Sequence, residues 1–384
     1  MEGRGIKMRA VWITDAVTVT PFGEGLAQLW QALLAAKSAI GPVSRFPVKN
    51  YHAGIASCIE DLTASGDRSM GHVLLQRLLQ QLDPVSQDTL LITATTKSGI
   101  DNLERVRRGY PAEPRDAMIL AIYEEIHRKL NLTAEGVNIS AACASSTVAI
   151  AQGAALIASR WADAVLVCCM DLVTEFVFSG FSALQALSAV PCRPFDRDRS
   201  GLSLGEGAAA LLLMSEERAE QEARPHLATI LGWGAANDAS HITAPDREGC
   251  GLHQAINQAM QVAKCGASDI AGISAHGTGT VYNDLMELKV FNHIFVDYPI
   301  PIYSIKGALG HTLGAAGGIE VAVGIQTLSE QTAPPTVGFS NPERGAEERV
   351  MPEPVNISGD YLLTTNSGFG GINAAIILGK GSLP

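Results

Sequence analysis

The sequence is short of charge, and the charge it has leans to one sign. Asp, Glu, Lys and Arg make up 17% of the 384 residues, with 28 basic against 39 acidic side chains and a formal net charge of −11. An acidic chain argues against general nucleic-acid binding, which needs a basic field. The seven cysteines are an odd number, and none stand as CxxC. No spacing resembles a zinc site or a disulfide framework, so reduced thiols, a cytoplasmic setting and no metal are expected. Residues 1–10 are charged and lack the apolar run of a secretory leader. The apolar stretch 147–170 is interrupted by Gln152, Arg160 and Asp163. It reads as a buried helix and strand and not as a membrane span.

Apolar residues are plentiful instead. They account for 47% of the chain, which implies a large core and excludes disorder. The length fits two domains, or one large domain in two halves. Thirty-eight glycines point to tight turns and close backbone approaches. Periodicity and turn residues predict strands over 9–19, 89–95, 136–139, 164–170 and 201–214. Helices are predicted over 26–36, 71–82, 101–108, 117–130, 147–157 and 216–224. The alternation then recurs, with strands over 227–234, 270–276, 302–306, 362–366 and 374–378 and helices over 251–265, 284–291 and 313–328.

Two passages look like internal copies. GEGAAALLL begins at Gly205 and GGINAAIIL at Gly370, an offset of 165. The small-residue helix after His311 follows the one after Cys143 by a similar 168 positions. Nearly equal offsets suggest a duplicated α/β half, with sheets covered by helices and the two small-residue helices packed together in the middle. That arrangement brings Cys143 and His311 to one buried site.

Cys143 stands between small residues, after a short strand and before the helix. A thiol at a helix N-terminus feels the positive end of the helix dipole, which favours thiolate. Read alone, it is as readily an inert core cysteine as a nucleophile. Three other stretches carry polar groups in a glycine-rich, apolar setting. His276 lies in AHGTGT at a strand end, where open α/β sheets bind ligands. Lys306 and His311, in SIKGALGH, open a hydrophobic helix. The segment NSGFGG, from Asn366 to Gly371, suits a mobile loop or an exposed N–H site. Each of these signals is weak by itself, and a capped turn, a solvated loop or a plain tight turn would explain it.

Taken together and in this order, the motifs resemble the elongating β-ketoacyl-acyl-carrier-protein synthases, the Cys-His-His class of the thiolase superfamily. AACASS surrounds Cys143, CRPFDRDRSGLSLGEGA starts at Cys192, and NDASHITAPDREG starts at Asn237. AHGTGTVYNDLMEL, SIKGALGHTLGAAGGIE and NSGFGG complete the set, and the opening VTVTPFG fits as well. The resemblance implies an α/β, thiolase-like, five-layered αβαβα fold of two duplicated halves. The nucleophile would sit in residues 1–222 and both histidines in 223–384.

The same resemblance implies roles. Cys143 would be acylated. His276 and His311 would bind the malonyl thioester and stabilise the enolate left by decarboxylation. Lys306 and Glu320 would form the polar support of His311. The N–H groups of Cys143 and Phe369 would make an oxyanion hole, with the Phe369 ring gating the acyl pocket. Thr278, Thr280 and Gly370 would meet the phosphopantetheine arm. No bound cofactor is implied, because the substrates ride on acyl-carrier protein. Elementary chemistry agrees: thioester exchange needs a soft nucleophile, and neutral imidazoles can donate to an enolate oxygen.

Relatives of this family separate by residue. Thiolases use a second cysteine near the C-terminus, whereas here the last is Cys265. Initiating synthases use Cys-His-Asn, whereas here the third group is His311. Subunits that only shape chain length lack the cysteine, so a non-condensing partner subunit is the alternative and not the first expectation. Two departures stand out. NSGFGG is one residue shorter than the family's usual NSFGFGG, and segment 96–136, which includes Lys97, is shorter than usual. Both touch substrate length and dimer contacts, so a specialised polyketide or aryl-polyene-type pathway is as compatible as fatty-acid synthesis. A homodimer, or a heterodimer with a homologous subunit, is expected. An acidic carrier would need a local basic patch, for which Arg105, Arg107 and Arg108 are the candidates, against an ordinary solvated helix face.

Overall fold

The structure, a computed structural model, describes residues 8–382. Ten of its strands carry the architecture. In the first half these are β1 (Val11–Thr20), β2 (Leu90–Ala94), β3 (Val137–Ile139), β4 (Ala164–Asp171) and β5 (Gly207–Ser215). In the second they are β6 (Ala228–Asn237), β7 (Ile270–Ser274), β8 (Ile302–Tyr303), β9 (Tyr361–Gly368) and β10 (Ile372–Lys380). Across the sheet the first half runs β3-β2-β4-β5-β1 and the second β8-β7-β9-β10-β6. Both orders are third, second, fourth, fifth, first. The senses repeat too. The second strand is parallel to the third and fourth, and the fifth is antiparallel to the fourth and first. The copied passages fall on β5 and β10, the fifth strand of each set. The two sheets join only where β1 meets β6, at Trp12–Thr229 and Ile13–Ala228.

The helices are α1 (Leu26–Leu34), α2 (Met70–Leu79), α3 (Asp101–Arg107), α4 (Ala121–Lys129), α5 (Ser145–Ala158) and α6 (Glu175–Ala183) in the first half. After them come α7 (Glu216–Gln221), α8 (Cys250–Ala263), α9 (Val281–Ile294), α10 (Lys306–Leu309) and α11 (Ala316–Glu330). Strand alternation sorts them into layers. On β4, Val165, Val167 and Cys169 join the core that contains α1, α5 and α11. Their neighbours Leu166, Cys168 and Met170 face α2 and α4. On β10, Ile376 and Leu378 join the same middle core, while Ala375 and Ile377 face α8 and α9. The result is helix, sheet, helix, sheet, helix: the thiolase-like five-layered α/β fold. Strands buried on both faces read as continuous apolar runs, and these do.

The middle layer is tight because its residues are small. A Cβ on Gly317 of α11 would lie 1.9 Å from Thr147 Oγ1 of α5, so only glycine permits this approach. The Gly318 N–H donates to Ser146 Oγ at 2.9 Å, closing the contact. Among the described residues, no helix is long and apolar enough to cross a membrane.

Three local expectations are corrected. The helix over 117–130 is a 3₁₀ turn (Pro114–Ala117) followed by α4. The Asp116 carboxylate turns inward to Arg68, the Ser69 N–H and Asn102, which pulls this segment off a helical path. Residues 302–306 form a strand only as far as Tyr303, and Lys306 opens α10 instead. Helix α6 was not foreseen, because aromatic residues and Gly180 lower its propensity. It starts where the Thr174 hydroxyl accepts the Val177 N–H at 3.3 Å.

Candidate active site

Cys143 sits in the sharp turn between β3 and α5. Ala142, just before it, has φ +50°, a left-handed conformation that L-residues other than glycine seldom adopt. The turn is locked by Ser145, whose Oγ accepts the Ala141 N–H at 2.9 Å and donates to the Ala142 carbonyl at 2.5 Å. Phe178, Leu187, Leu202 and Leu313 surround the thiol. Burial pushes Cys143 up to about 12, against the pull of the Lys306 charge and a hydrogen bond from the Phe369 N–H. Desolvation therefore outweighs the pull of the helix dipole toward thiolate, which leaves the neutral thiol favoured. Gly368 abuts the same turn, where an added Cβ would stand 3.1 Å from the Cys143 N. The Phe369 N–H thus reaches the Cys143 sulfur from the loop that packs on this turn.

His276 follows β7, and its loop is held from below by α9. Glu287 accepts the His276 and Gly277 N–H groups at 2.8 and 2.7 Å. Asp284 accepts the Thr278 and Gly279 N–H groups at 3.1 and 3.2 Å. Spaced three apart, the two carboxylates share a face of α9. His311 lies between α10 and α11, its N–H on the Ser203 carbonyl at 2.7 Å and its carbonyl taking the Gly205 N–H at 2.9 Å. The two imidazoles meet edge to face, with ring centroids 5.1 Å apart and planes at 84°. Burial first, then the Lys306 charge, hold both rings well below the ordinary histidine value, so both are neutral. The His311 Nδ1 is buried without a hydrogen-bond partner among the described residues.

Behind the rings lies a buried polar cluster. Lys306 Nζ donates to Glu320 Oε1 and to the His276 carbonyl, both at 2.5 Å. Asn366 Nδ2 donates to Glu320 Oε2 at 2.7 Å and stands 3.1 Å from His276 Nδ1. Through these bonds Lys306 and Glu320 reach His276, and the Lys306 charge bears on His311 as well.

One cavity of about 380 Å³ opens onto these groups. Cys143, His276, His311, Thr278, Thr280 and Phe369 all line it. Thr278 and Thr280 share a hydrogen bond of 2.8 Å between their hydroxyls. The Phe369 ring stacks on Phe181 of α6, with centroids 5.7 Å apart. Gly370 is not part of the wall. Its N–H donates to the Ile242 carbonyl at 2.6 Å and its carbonyl accepts from Asn237 at 2.9 Å, pinning the loop from outside. The three arginines lie on or just after α3, away from the wall. Arg105 is spent on Asn102 and on the Arg68 and Gly66 carbonyls, and Arg108 pairs with Glu175. Arg107 is exposed and forms no ion pair among the described residues. No group of three or more His, Cys, Asp or Glu side chains among the described residues could hold a metal ion.

Sequence reading missed four residues that organise this site. Asp284 and Glu287 lay in plain view within YNDLMEL, where two acids three apart on an otherwise buried helix are a readable signal. Asn366 was visible only as part of a glycine loop. Asp171, at the end of β4, had no motif. It accepts the Gly314 N–H at 2.7 Å and the Thr96 N–H at 3.0 Å, tying the two halves together beside His311.

Comparison with known proteins places this geometry. Residues 86–219 match the family model "Beta-ketoacyl synthase, N-terminal domain" and residues 227–340 match "Beta-ketoacyl synthase, C-terminal domain". The chain is 30% identical to 3-oxoacyl-[acyl-carrier-protein] synthase 2 of Rhizobium meliloti, over 97% of this chain and 99% of that one. It is 29% identical to the protein of the same name from Coxiella burnetii, over 98% and 99% of the two. Among solved structures, the ishigamide ketosynthase/chain length factor superposes with a TM-score of 0.88 at 27% identity, covering 97% of this chain and 99% of that one. With the repeated strand order and the shared cavity of Cys143, His276 and His311, these matches show that the chain belongs to the β-ketoacyl synthase family of enzymes, in the thiolase superfamily.

Proposed function

We propose that the protein carries out the decarboxylating Claisen condensation of an acyl group with malonyl-acyl-carrier protein. The observation that carries this reading is the convergence of Cys143, two neutral imidazoles and the Phe369 N–H on one cavity. The Cys143 thiol attacks an acyl thioester, and the displaced pantetheine sulfur leaves with a proton. Because the resting group is a thiol, its own proton must go to a base as the S–C bond forms, and His311, a neutral ring lining the same cavity with no partner at Nδ1 among the described residues, is that base. A malonyl thioester then enters and loses CO₂. The electron pair of the broken C–C bond becomes an enolate, whose oxygen accepts N–H bonds from the imidazoles. The enolate carbon attacks the acyl carbonyl on Cys143. The resulting oxyanion is met by the N–H groups of Cys143 and Phe369, and its collapse gives β-ketoacyl-carrier protein and expels Cys143 as a thiolate, which takes a proton from solvent to restore the resting thiol. Thr278 and Thr280 line the approach and suit the phosphopantetheine arm.

Residues 1–222 and 223–384 serve as the two halves of one catalytic body. A second subunit, identical or homologous, would cover the exposed apolar residues Leu103, Val106 and Tyr110 and the open edge of β3, where Val137 is 48% exposed. The pathway is fatty-acid synthesis or a specialised polyketide or aryl-polyene-type route.

The test is covalent. Incubation with acyl-carrier protein bearing acyl groups of several lengths should add one acyl mass to the intact protein, and Cys143→Ala should abolish the addition. A wild type that takes up no acyl group at any length, while binding a homologous synthase and changing its product length, would favour the non-condensing subunit and refute the condensing reading.

A further inference from the structure

Asn366 occupies the end of β9 and is completely buried, with its side chain between Glu320, His276 and Thr147. A carboxylate can only accept hydrogen bonds. The atom 2.7 Å from Glu320 Oε2 must therefore be the amide nitrogen. The other end of the amide agrees, since the Thr147 hydroxyl donates to Asn366 Oδ1. Two independent partners thus fix which way this amide points. The same nitrogen, a donor with two hydrogens, also stands 3.1 Å from His276 Nδ1. A donor facing Nδ1 requires that Nδ1 accept. A neutral imidazole carries a single proton, so it resides on Nε2. Nε2 has no hydrogen-bond partner among the described residues, and His276 lines the cavity.

We propose that Asn366 is a positioning residue that sets the tautomer of His276, holding its single proton on Nε2, where it is available to the thioester oxygen of the substrate. Thr147, on α5 of the first half, orients the amide, and Asn366, on β9 of the second, transmits that orientation to the ring. His311 lacks such a partner at Nδ1, so the two histidines are not equivalent. His276 is a fixed donor, whereas the protonation of His311 is set by what enters the cavity. The role of this donor rests on the condensing reading above. The tautomer itself does not.

The test separates the two. In the full-length protein labelled with ¹⁵N-histidine, long-range ¹H–¹⁵N correlation identifies the protonated nitrogen, and His276→Gln assigns the signal. The wild type should show His276 unprotonated at Nδ1. Asn366→Asp, nearly isosteric, replaces the donor by an acceptor and should move a proton onto Nδ1. Decarboxylation of a malonyl pantetheine thioester should then fall about 100- to 1,000-fold, the usual loss for an oxyanion donor. Acyl transfer to Cys143, which does not use this donor, should fall far less. Thr147→Val, which removes only the hydroxyl, should give a smaller loss of the same kind and a mixed tautomer signal. A wild-type His276 protonated at Nδ1 would overturn the proposal without any variant. So would an Asn366→Asp protein whose His276 signal is unchanged, or one that loses acylation and decarboxylation equally. A wild type with the expected signal and no decarboxylation would support the tautomer assignment and refute the condensing reading instead.

Discussion

Breaking the Lys306–Glu320 pair should show what holds the histidines neutral. Both side chains are nearly inaccessible, at 2% and 1% exposure, and 2.5 Å apart. Lys306→Met leaves the Glu320 carboxylate with Asn366 as its remaining donor. Glu320→Gln leaves the ammonium with the His276 carbonyl. Removing one partner of a buried pair costs about 3–5 kcal/mol, because the other charge stays in a poor solvent. The double variant has no stranded charge, so it should recover about 1–3 kcal/mol relative to the sum of the singles. The pH dependence has a definite sign. In the wild type, His276 and His311 lie well below 6.5, so below about pH 6.5 the unfolded chain binds protons that the folded one refuses, and stability falls with pH. Lys306→Met removes the charge that, after burial, does most to depress both rings. It also removes the charge that pulls the burial-raised Glu320 downward. Both changes let the folded variant bind protons more readily. Its stability deficit should therefore be largest near pH 8 and narrow toward about pH 5.

Equilibrium urea unfolding of the wild type, both singles and the double, at several pH values, measures all of this. Additive singles would refute the pairing argument. A deficit that widened as pH fell would refute the assignment of Lys306 as the charge acting on the rings.

Other expectations are simpler. Gly317→Ala places a Cβ on the Thr147 hydroxyl and should cost about 1–3 kcal/mol, as overpacking does, with a loss of decarboxylation larger than this destabilisation explains. Asp171→Ala strands the buried N–H groups of Gly314 and Thr96. At about 1–3 kcal/mol each, these should lower stability measurably in denaturant, with Asp171→Asn intermediate. If α3 docks the carrier, Arg107→Glu should raise KM for carrier-bound substrate and leave a small pantetheine thioester unaffected, and equal losses on both would exclude α3. If a second subunit covers α3, glutamates at Leu103 and Val106 should halve the sedimenting mass, and an unchanged mass would refute that contact.

The duplication was legible because both copies bury their fifth strand in the same way, so GEGAAALLL and GGINAAIIL kept their likeness. Cys143 and His276 were legible because each stands among small residues where a strand hands over to a helix, and His311 because it stands among small residues between two helices. What could not be read is what depends on distant pairing. Asn366 looks like a loop residue until β9 is placed beside Thr147 of α5, which is 219 positions away in sequence. The burial of Cys143 was not legible because the helix dipole is local, whereas desolvation comes from a cluster that includes Phe178, Leu202 and Leu313, which arrive from three other segments. The arginines of α3 form a charged run in sequence. Two of them are spent on partners that sequence cannot show.

The duplication also explains why there is one site and not two. In each half the fourth strand ends in a polar residue that grips the beginning of the other half's central helix. Asp171 ends β4 and takes the Gly314 N–H ahead of α11. Asn366 is near the end of β9 and takes the Thr147 hydroxyl of α5. The grips are alike in plan and different in chemistry, and in register they stand two residues apart. Asp171 is a carboxylate saturated by N–H and O–H donors, so it can fix backbone beside His311 but offers no donor to the ring. Asn366 is an amide with a donor to spare, and that donor reaches His276. An acid in one grip and an amide in the other are enough to make the pair of histidines unequal. A condensation that needs one fixed donor and one ring free to respond can then run in a site built from two copies of the same fold.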